Sequence, residues 1–302
     1  MSPLPPDTAA PFLSLMRWLG LVFSALFGLA FGSFLNVCLT RWPHGESVVH
    51  PSSHCRNCPH ALAWWENIPL LSWLVLRGRC RSCHSPISWR YPLIEFSVAF
   101  LWAALWLHTS APPPSAAQPT LWFVTTLLGY GLFAWLLVAL ATLDAEHFWL
   151  PDRLTYPAIA LGILFNFLRS WAAVSPAQPF NLLDCLASSA IAILAPAALI
   201  LAISLAYWLV RRREGIGLGD AKLMAMLGVW LGIAPALETF AAAIFAAAIT
   251  AILWIAFTRT RQNPGQWAQM PLPLGSFLCL AACLELFFPL WLFRFCAAIF
   301  LP

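Results

Sequence analysis

The sequence predicts an all-α polytopic membrane protein of about eight transmembrane helices, with a small polar domain between the first and second. Three observations carry this. The 302 residues are 61% hydrophobic and only 9% charged, against roughly 25% charged residues in a soluble domain. Uncharged apolar runs near the roughly 20 residues that cross a bilayer recur along the chain. One stretch alone, residues 41–91, gathers six Arg, five of the seven His and four Cys. An ordinary soluble enzyme and a disordered chain are excluded. The net charge of +4 is spread over a sequence of mean hydropathy +0.78, so it does not point to nucleic acid.

The elements follow in order. Residues 1–16 read as an N-terminal tail. Trp18–Leu39 is uncharged and gives transmembrane helix 1, over 17–40. It is longer than the apolar region of a secretory signal and no Ala-x-Ala-like site follows, so it is read as retained. Residues 92–302 form the membrane domain, helices 2–8. Phe96–Leu143 is an uncharged run of 48 residues interrupted by Ala111–Pro119, hence two spans. Leu154–Leu168 is a short run ended by Arg169, and Cys185–Val210 is a long one. Leu223–Thr258 contains only Glu238 and breaks at Gly232-Ile233-Ala234-Pro235 into two. Leu274–Phe300, with Glu285 and Arg294, is the last. No internal repeat is read.

Lys and Arg are retained on the cytoplasmic side. If helix 1 ends in the cytoplasm, that face receives 13 cations, including Arg41, Arg153, Arg211 and Lys222, and the other receives Arg17, Arg169 and Arg294. Both termini are then periplasmic, and domain 41–91 is cytoplasmic.

Within that domain stand Cys55-x-x-Cys58 and Cys80-x-x-Cys83. Two such knuckles can set four thiolates around a tetrahedral zinc ion. A module of this size is near the lower limit for a stable apolar core, and metal binding supplies folding free energy directly. Two disulfides are the alternative, disfavoured in the cytosol; a redox pair would want a βαβ context. Cys38, Cys185, Cys279, Cys283 and Cys296 read as packing residues.

Acidic residues number 12, few enough to weigh singly. Asp7, Glu46, Glu66, Asp184 and Glu285 fit tails, loops or span ends. Asp144 follows the third span and opens Asp144-Ala-Glu146-His147-Phe-Trp-Leu-Pro151-Asp152. Asp220 stands in Gly215-Ile-Gly217-Leu-Gly219-Asp220-Ala-Lys222, at the mouth of the sixth span. Helix parity puts both at the cytoplasmic boundary. An ionisable group there is a functional candidate, although interfacial solvation also accommodates one. The alternating glycines permit positive φ and close backbone approach, and lack the ending of a phosphate loop. Two carboxylates sharing a proton around water supply acid and base for amide hydrolysis. No Ser/His/Asp set or His-Glu-x-x-His zinc motif competes. The rivals are a cation-coupled membrane transporter using the same Asp residues, which repeat symmetry would favour, and a membrane-anchored zinc adaptor.

Further motifs accompany these: Gly32-Ser-Phe-Leu-Asn36-Val37, Glu66-Asn-Ile-Pro-Leu-Leu-Ser-Trp73, Arg77-Gly-Arg-Cys80, Arg90-Tyr-Pro-Leu-Ile-Glu95, and Leu150-Pro151-Asp152. Together with the knuckles and Gly217-Leu-Gly219-Asp220-Ala-Lys222, they make the chain resemble the bacterial type IV prepilin peptidases from about residue 17 to the last span. The resemblance implies an integral inner-membrane aspartic endopeptidase. It would cleave the basic leader of type IV prepilins or pseudopilins, of pilus or type II secretion systems, at the cytoplasmic face after a Gly. It would then N-methylate the new terminus with S-adenosylmethionine. Asp144 and Asp220 become the catalytic pair, with Gly217, Gly219, Lys222, Asp152, Glu146 and Glu95 in support. Cys55, Cys58, Cys80 and Cys83 become ligands of a structural zinc and the mark of bifunctional members. A peptidase without methyltransferase activity is the variant to weigh. Glu95, Glu146, Asp152 and Glu214 are expected to attract the basic leader. Membrane lipid is an expected partner and nucleic acid is not. Two departures stand out: Pro59 and His84 replace a Gly after each knuckle, which adds His54, His60 and His84 to the ligands to weigh, and Ile216 replaces a Met.

Overall fold

The computed structural model describes residues 6–109, 118–174, 180–212, 217–258 and 272–294, and side chains from Ser14 onward with Thr258 excepted. Arg213, Glu214, Gly215, Ile216, Arg259, Arg261, the 110–117 interruption and the end of the last span, Cys296 included, lie outside the described residues. Among the described residues every regular element is helical, and the only bridges are two isolated antiparallel ones. Contacts group the chain into two compact units, Met1–Ala111 and Pro112–Pro302.

In the first unit, α1 (Pro6–Arg41) packs along α3 (Arg90–His108). The helix α1 starts at Pro6, within the stretch the sequence reads as a tail; no charge but Asp7 interrupts that stretch before Arg17. Gly28 and Gly32, one turn apart, let the two backbones approach. A Cβ on Gly28 would lie 2.7 Å from Ala99 Cα, and one on Gly32 2.7 Å from Glu95 Cα. The Ser24 hydroxyl donates to Trp102 O at 2.9 Å, which satisfies a polar group inside the pair. Between the helices lies the cysteine domain, with a short helix α2 (Leu71–Val75).

The second unit is built around α7 (Leu218–Leu231), which contacts α5 (Asp152–Ala172), α6 (Leu182–Arg211), α8 (Ile233–Thr258) and α9 (Leu274–Phe287). An apolar circumference buries a helix on all sides, and Leu223–Trp230 is buried throughout. Trp230 is stacked between Phe133 of α4 (Pro119–His147) and Phe165 of α5, with both ring centroids 5.0 Å away. Its indole N–H donates to Ala158 O at 2.9 Å. Gly228 brings α7 onto α6, since a Cβ there would fall 1.9 Å from Ala192 O. Gly232, at φ 93, turns the chain from α7 into α8.

Charges inside these helices have partners. Arg169 donates to the Tyr130 hydroxyl at 2.7 Å and lies 5.5–5.9 Å from the rings of Trp122, Tyr130 and Phe165, a cation–π setting. Glu285 is buried, and its Oε2 accepts from Leu290 N at 2.9 Å. Glu238, also buried, accepts from Leu292 N. The two carboxylates thus cap the turn that follows α9, more than the span-end role read for Glu285.

Within the described residues the eight apolar segments fall in helices, except that the last, read as Leu274–Phe300, breaks after Phe287 into a turn over 288–290. Five are long and apolar enough to cross a membrane: Ser14–His44, Arg90–His108, Pro119–His147, Leu182–Arg211 and Ile233–Phe257. The other three differ for physical reasons. Both α7 and α9 have 14 residues, about 21 Å of helix against a hydrocarbon layer of about 30 Å, and α5 carries Asp152, Arg153 and Arg169.

Candidate active site and metal centre

The cysteine centre is one turn made twice. Cys55 N donates to His60 O and Cys80 N to Ser85 O, both at 2.9 Å. Two residues outside each turn, Leu62 N reaches Ser53 O and Ile87 N reaches Gly78 O. Bridges His54–Ala61 and Arg79–Pro86 close the two loops. The second knuckle reproduces the first at an offset of 25 residues, so the domain does contain an internal repeat. The signal was readable as Cys55-Arg-x-Cys58 and Cys80-Arg-x-Cys83.

The four sulfurs lie within 4.8 Å of one another, with Cys55–Cys83 at 3.8 Å and Cys58–Cys80 at 4.0 Å. A tetrahedron of Zn–S bonds near 2.3 Å has edges of about 3.8 Å, so the set fits a zinc-sized ion. The thiols also differ electrostatically. The Ser85 hydroxyl, 3.1 Å away, and the Ser85 N–H hold Cys83 at about 6. The Asn57 N–H lowers Cys55. Cys58 receives the His60 N–H, but desolvation and the neighbouring sulfurs carry it to about 11. Four thiolates at these distances coexist only around a cation.

Among the described residues the metal-type cluster contains these four Cys and no His. His60 is turned instead to Glu66, with Nε2–Oε2 at 3.0 Å. Glu66 is buried and also accepts from Ala63 N at 2.8 Å. That N–H, then His60 and Arg81, hold its carboxyl below the usual range. Sequence reading placed Glu66 among bland surface acids; the structure makes it the internal brace of the domain.

Glu95 belongs to this first unit. It is buried in α3, and its Oε2 accepts from Leu70 N at 2.8 Å. The bond holds Leu70 at φ 58 between Pro69 and Leu71.

In the second unit, α4 delivers Asp144 in its last turn, buried, and α7 delivers Asp220 in its first turn, half-buried. Each is within electrostatic range of the other. The helix α4 ends because Phe148 takes a left-handed conformation at φ 50, its N–H bonding to Asp144 O at 2.9 Å. The chain then passes through Leu150 to Pro151, and α5 begins at Asp152. Leu150 is wedged between the two sites: a Cβ on Gly219 would meet it at 3.4 Å, and one on Gly275 at 3.1 Å. Gly217 caps α7 with φ −72 and ψ 151, and neither it nor Gly219 has positive φ. The left-handed turn read as permitted is used at neither, and a Cβ at either would meet only ordinary contacts, at 3.4 Å or more.

Lys222 donates to Asp152 Oδ1 at 2.6 Å and lies 5.4 Å from the Tyr156 ring, tying the first turns of α5 and α7. Glu146 is exposed, 3.9 Å from His147. The structure thus brings together Asp144, Asp220, Gly217, Gly219, Lys222 and Asp152.

A further contributor was missed. The first turn of α9 lies against Asp144: Ser276 N donates to Oδ2 at 2.7 Å, and Ser276 Oγ sits 3.1 Å from Oδ2 and 2.8 Å from Ala141 O. A Cβ on Gly275 would lie 3.0 Å from Asp144 Cγ and Oδ2. Cys279, fully buried one turn on, is within range of both carboxylates. In sequence, Pro273-Leu-Gly275-Ser276 is only the opening of another apolar span.

Comparison with known proteins agrees with this layout. Residues 26–109 match the family model described as bacterial peptidase A24 N-terminal domain, and residues 131–252 match the type IV leader peptidase family. A protein of Aeromonas hydrophila named prepilin leader peptidase/N-methyltransferase is 34% identical, over 90% of this chain and 91% of its own length. One of the same name from Dichelobacter nodosus is 35% identical over 88% and 91%. Another from Myxococcus xanthus is 38% identical over 70% of this chain, which spans 56% of that relative. No solved structure matches the chain. The chain belongs to the type IV leader peptidase family.

Proposed function

We propose that the protein is an inner-membrane prepilin peptidase and N-methyltransferase, with Asp144 and Asp220 as its catalytic carboxylates. The observation that carries this is that the ends of α4 and α7 deliver two acids within electrostatic range of each other, beside Gly217, Gly219 and Gly275. Their shared environment disfavours two negative charges, so one carboxyl keeps a proton while the other accepts one from water. The ionised member draws a proton from water as that water attacks the scissile carbonyl. The protonated member stabilises the developing oxyanion, and a proton then passes to the departing amine.

A prepilin has a basic leader before an apolar helix, so its scissile bond sits at the cytoplasmic membrane boundary. The Arg distribution supports that placement of Asp144 and Asp220, with the cysteine domain on the same side and both termini periplasmic. The exposed Glu146 and Asp152 offer negative charge to the leader, and Glu214 is suited to the same role, whereas the Glu95 carboxylate is buried and taken up by Leu70 N. Cys55, Cys58, Cys80 and Cys83 would hold zinc, which supplies folding free energy to their domain when bound. S-adenosylmethionine is the methyl donor for the second activity, and we assign no residue to its binding.

The test is cleavage of a purified prepilin by the purified protein. Asp144→Asn and Asp220→Asn should each lose between about 10² and 10⁴-fold in rate while accumulating normally. Wild-type cleavage by either variant overturns the pairing.

A further inference from the structure

The first turn of α9 lies directly against the Asp144 carboxylate. Two donors of Ser276 converge on one carboxylate oxygen, and the adjacent Gly275 makes room for it. Ser276 N–H reaches Oδ2 at 2.7 Å, the Ser276 hydroxyl lies 3.1 Å from the same atom, and the missing side chain of Gly275 leaves room for it. Both Ser276 donors end on Oδ2, and the Gly275 N–H is a further donor to the Asp144 carboxylate. The Ser276 hydroxyl has one proton and two acceptors in range, Oδ2 and Ala141 O at 2.8 Å.

We propose that Gly275 and Ser276 are positioning residues for Asp144. They clamp the carboxylate and so aim it at the attacking water. The hydroxyl turns toward Oδ2 when Asp144 is ionised and toward Ala141 O when it is protonated. In the second state Ser276 Oγ accepts from the carboxyl, so both protonation states are bonded with no movement of heavy atoms. Leu150 backs the arrangement, lying against both Gly275 and Gly219, so the clamp on Asp144 and the approach to Asp220 share one wall. The inference rests on Asp144 being catalytic.

The experiment is steady-state cleavage of a prepilin by the purified full chain. A Cβ on Gly275 at 3.0 Å from Asp144 Cγ must displace the carboxylate by a few tenths of an ångström, and misplacement of 1 Å costs about 10²-fold. Gly275→Ala should therefore lower kcat about tenfold with KM unchanged. Ser276→Ala, which keeps the N–H, should lower kcat about fivefold with KM unchanged, and Ser276→Thr, which restores the hydroxyl, should recover it. A KM rise without a kcat fall, or wild-type kcat in both Gly275→Ala and Ser276→Ala, overturns the proposal. If Gly275→Ala does not accumulate, the Ala and Thr variants of Ser276 decide it: equal kcat in the two overturns it. Asp144→Asn separates the two readings, because an active Asp144→Asn refutes the catalytic assignment, whereas an inactive one beside active Gly275 and Ser276 variants refutes the clamp alone.

Discussion

Gly228→Ala is the sharpest test of how α7 is held. The added Cβ would lie 1.9 Å from Ala192 O and 3.0 Å from Pro196 Cγ, where ordinary contact begins at 3.4 Å. The obstacle is a backbone carbonyl of α6, which has no rotamer to change, so α6 and α7 must part locally by about 1.5 Å. Overpacking of this kind costs about 1–3 kcal/mol, and the rigid partner places it near the upper end. Replacing Gly in a helix returns about 1 kcal/mol, leaving a net loss of about 2 kcal/mol. For a domain of this size that is a fall of roughly 4–8 °C in Tm, read from the fraction of detergent-solubilised protein that stays monodisperse after heating. Gly228 lies eight residues beyond Asp220 on the same helix, about 12 Å along its axis, so the displaced α7 also carries Asp220 off its position and kcat falls with stability. A Tm equal to or above wild type would show that α6 and α7 do not meet backbone to backbone, and the placement of α7 would be wrong.

Two further outcomes concern the cysteine domain. Single Cys→Ser changes at Cys55, Cys58, Cys80 or Cys83 should lower bound zinc from about one ion per chain toward background by metal analysis, and wild-type protein at background refutes the site. Glu66 gives a pH signature. Its carboxyl is held below the usual range by the Ala63 N–H, His60 and Arg81, so its stabilisation is complete above the unfolded value near 4.5 and disappears as pH falls through the folded value. Proteolysis of the domain should rise as pH drops below about 4.5 in the wild type, and Glu66→Gln should flatten that dependence; identical profiles refute the brace.

The membrane class, the segments that become helices and the two knuckles were legible in the sequence because each is a local pattern. Absence of charge over 20 residues or Cys at i and i+3 needs no tertiary information. The break between α7 and α8 was legible for the same reason, as Gly232 before Pro235. The role of Glu66 was not, because a buried acid and a solvated one look alike in sequence until the N–H of Ala63 and the ring of His60 are placed around it. Of the two reasons read for the glycines before Asp220, freedom of φ is used at neither Gly217 nor Gly219, and a Cβ at either would meet only ordinary contacts. Gly275 and Ser276 left no signal, since their partner is 132 residues away.

That separation has a consequence for biogenesis. At roughly 5–20 residues per second, the 132 residues between Asp144 and Ser276 take on the order of ten seconds to synthesise. Through that interval α4 and then α7 are synthesised, yet Ser276, the donor proposed to orient Asp144, has not been. A nascent chain therefore carries both acids before it can aim them. On the proposed mechanism, the order of translation itself delays proteolytic competence until α9 arrives.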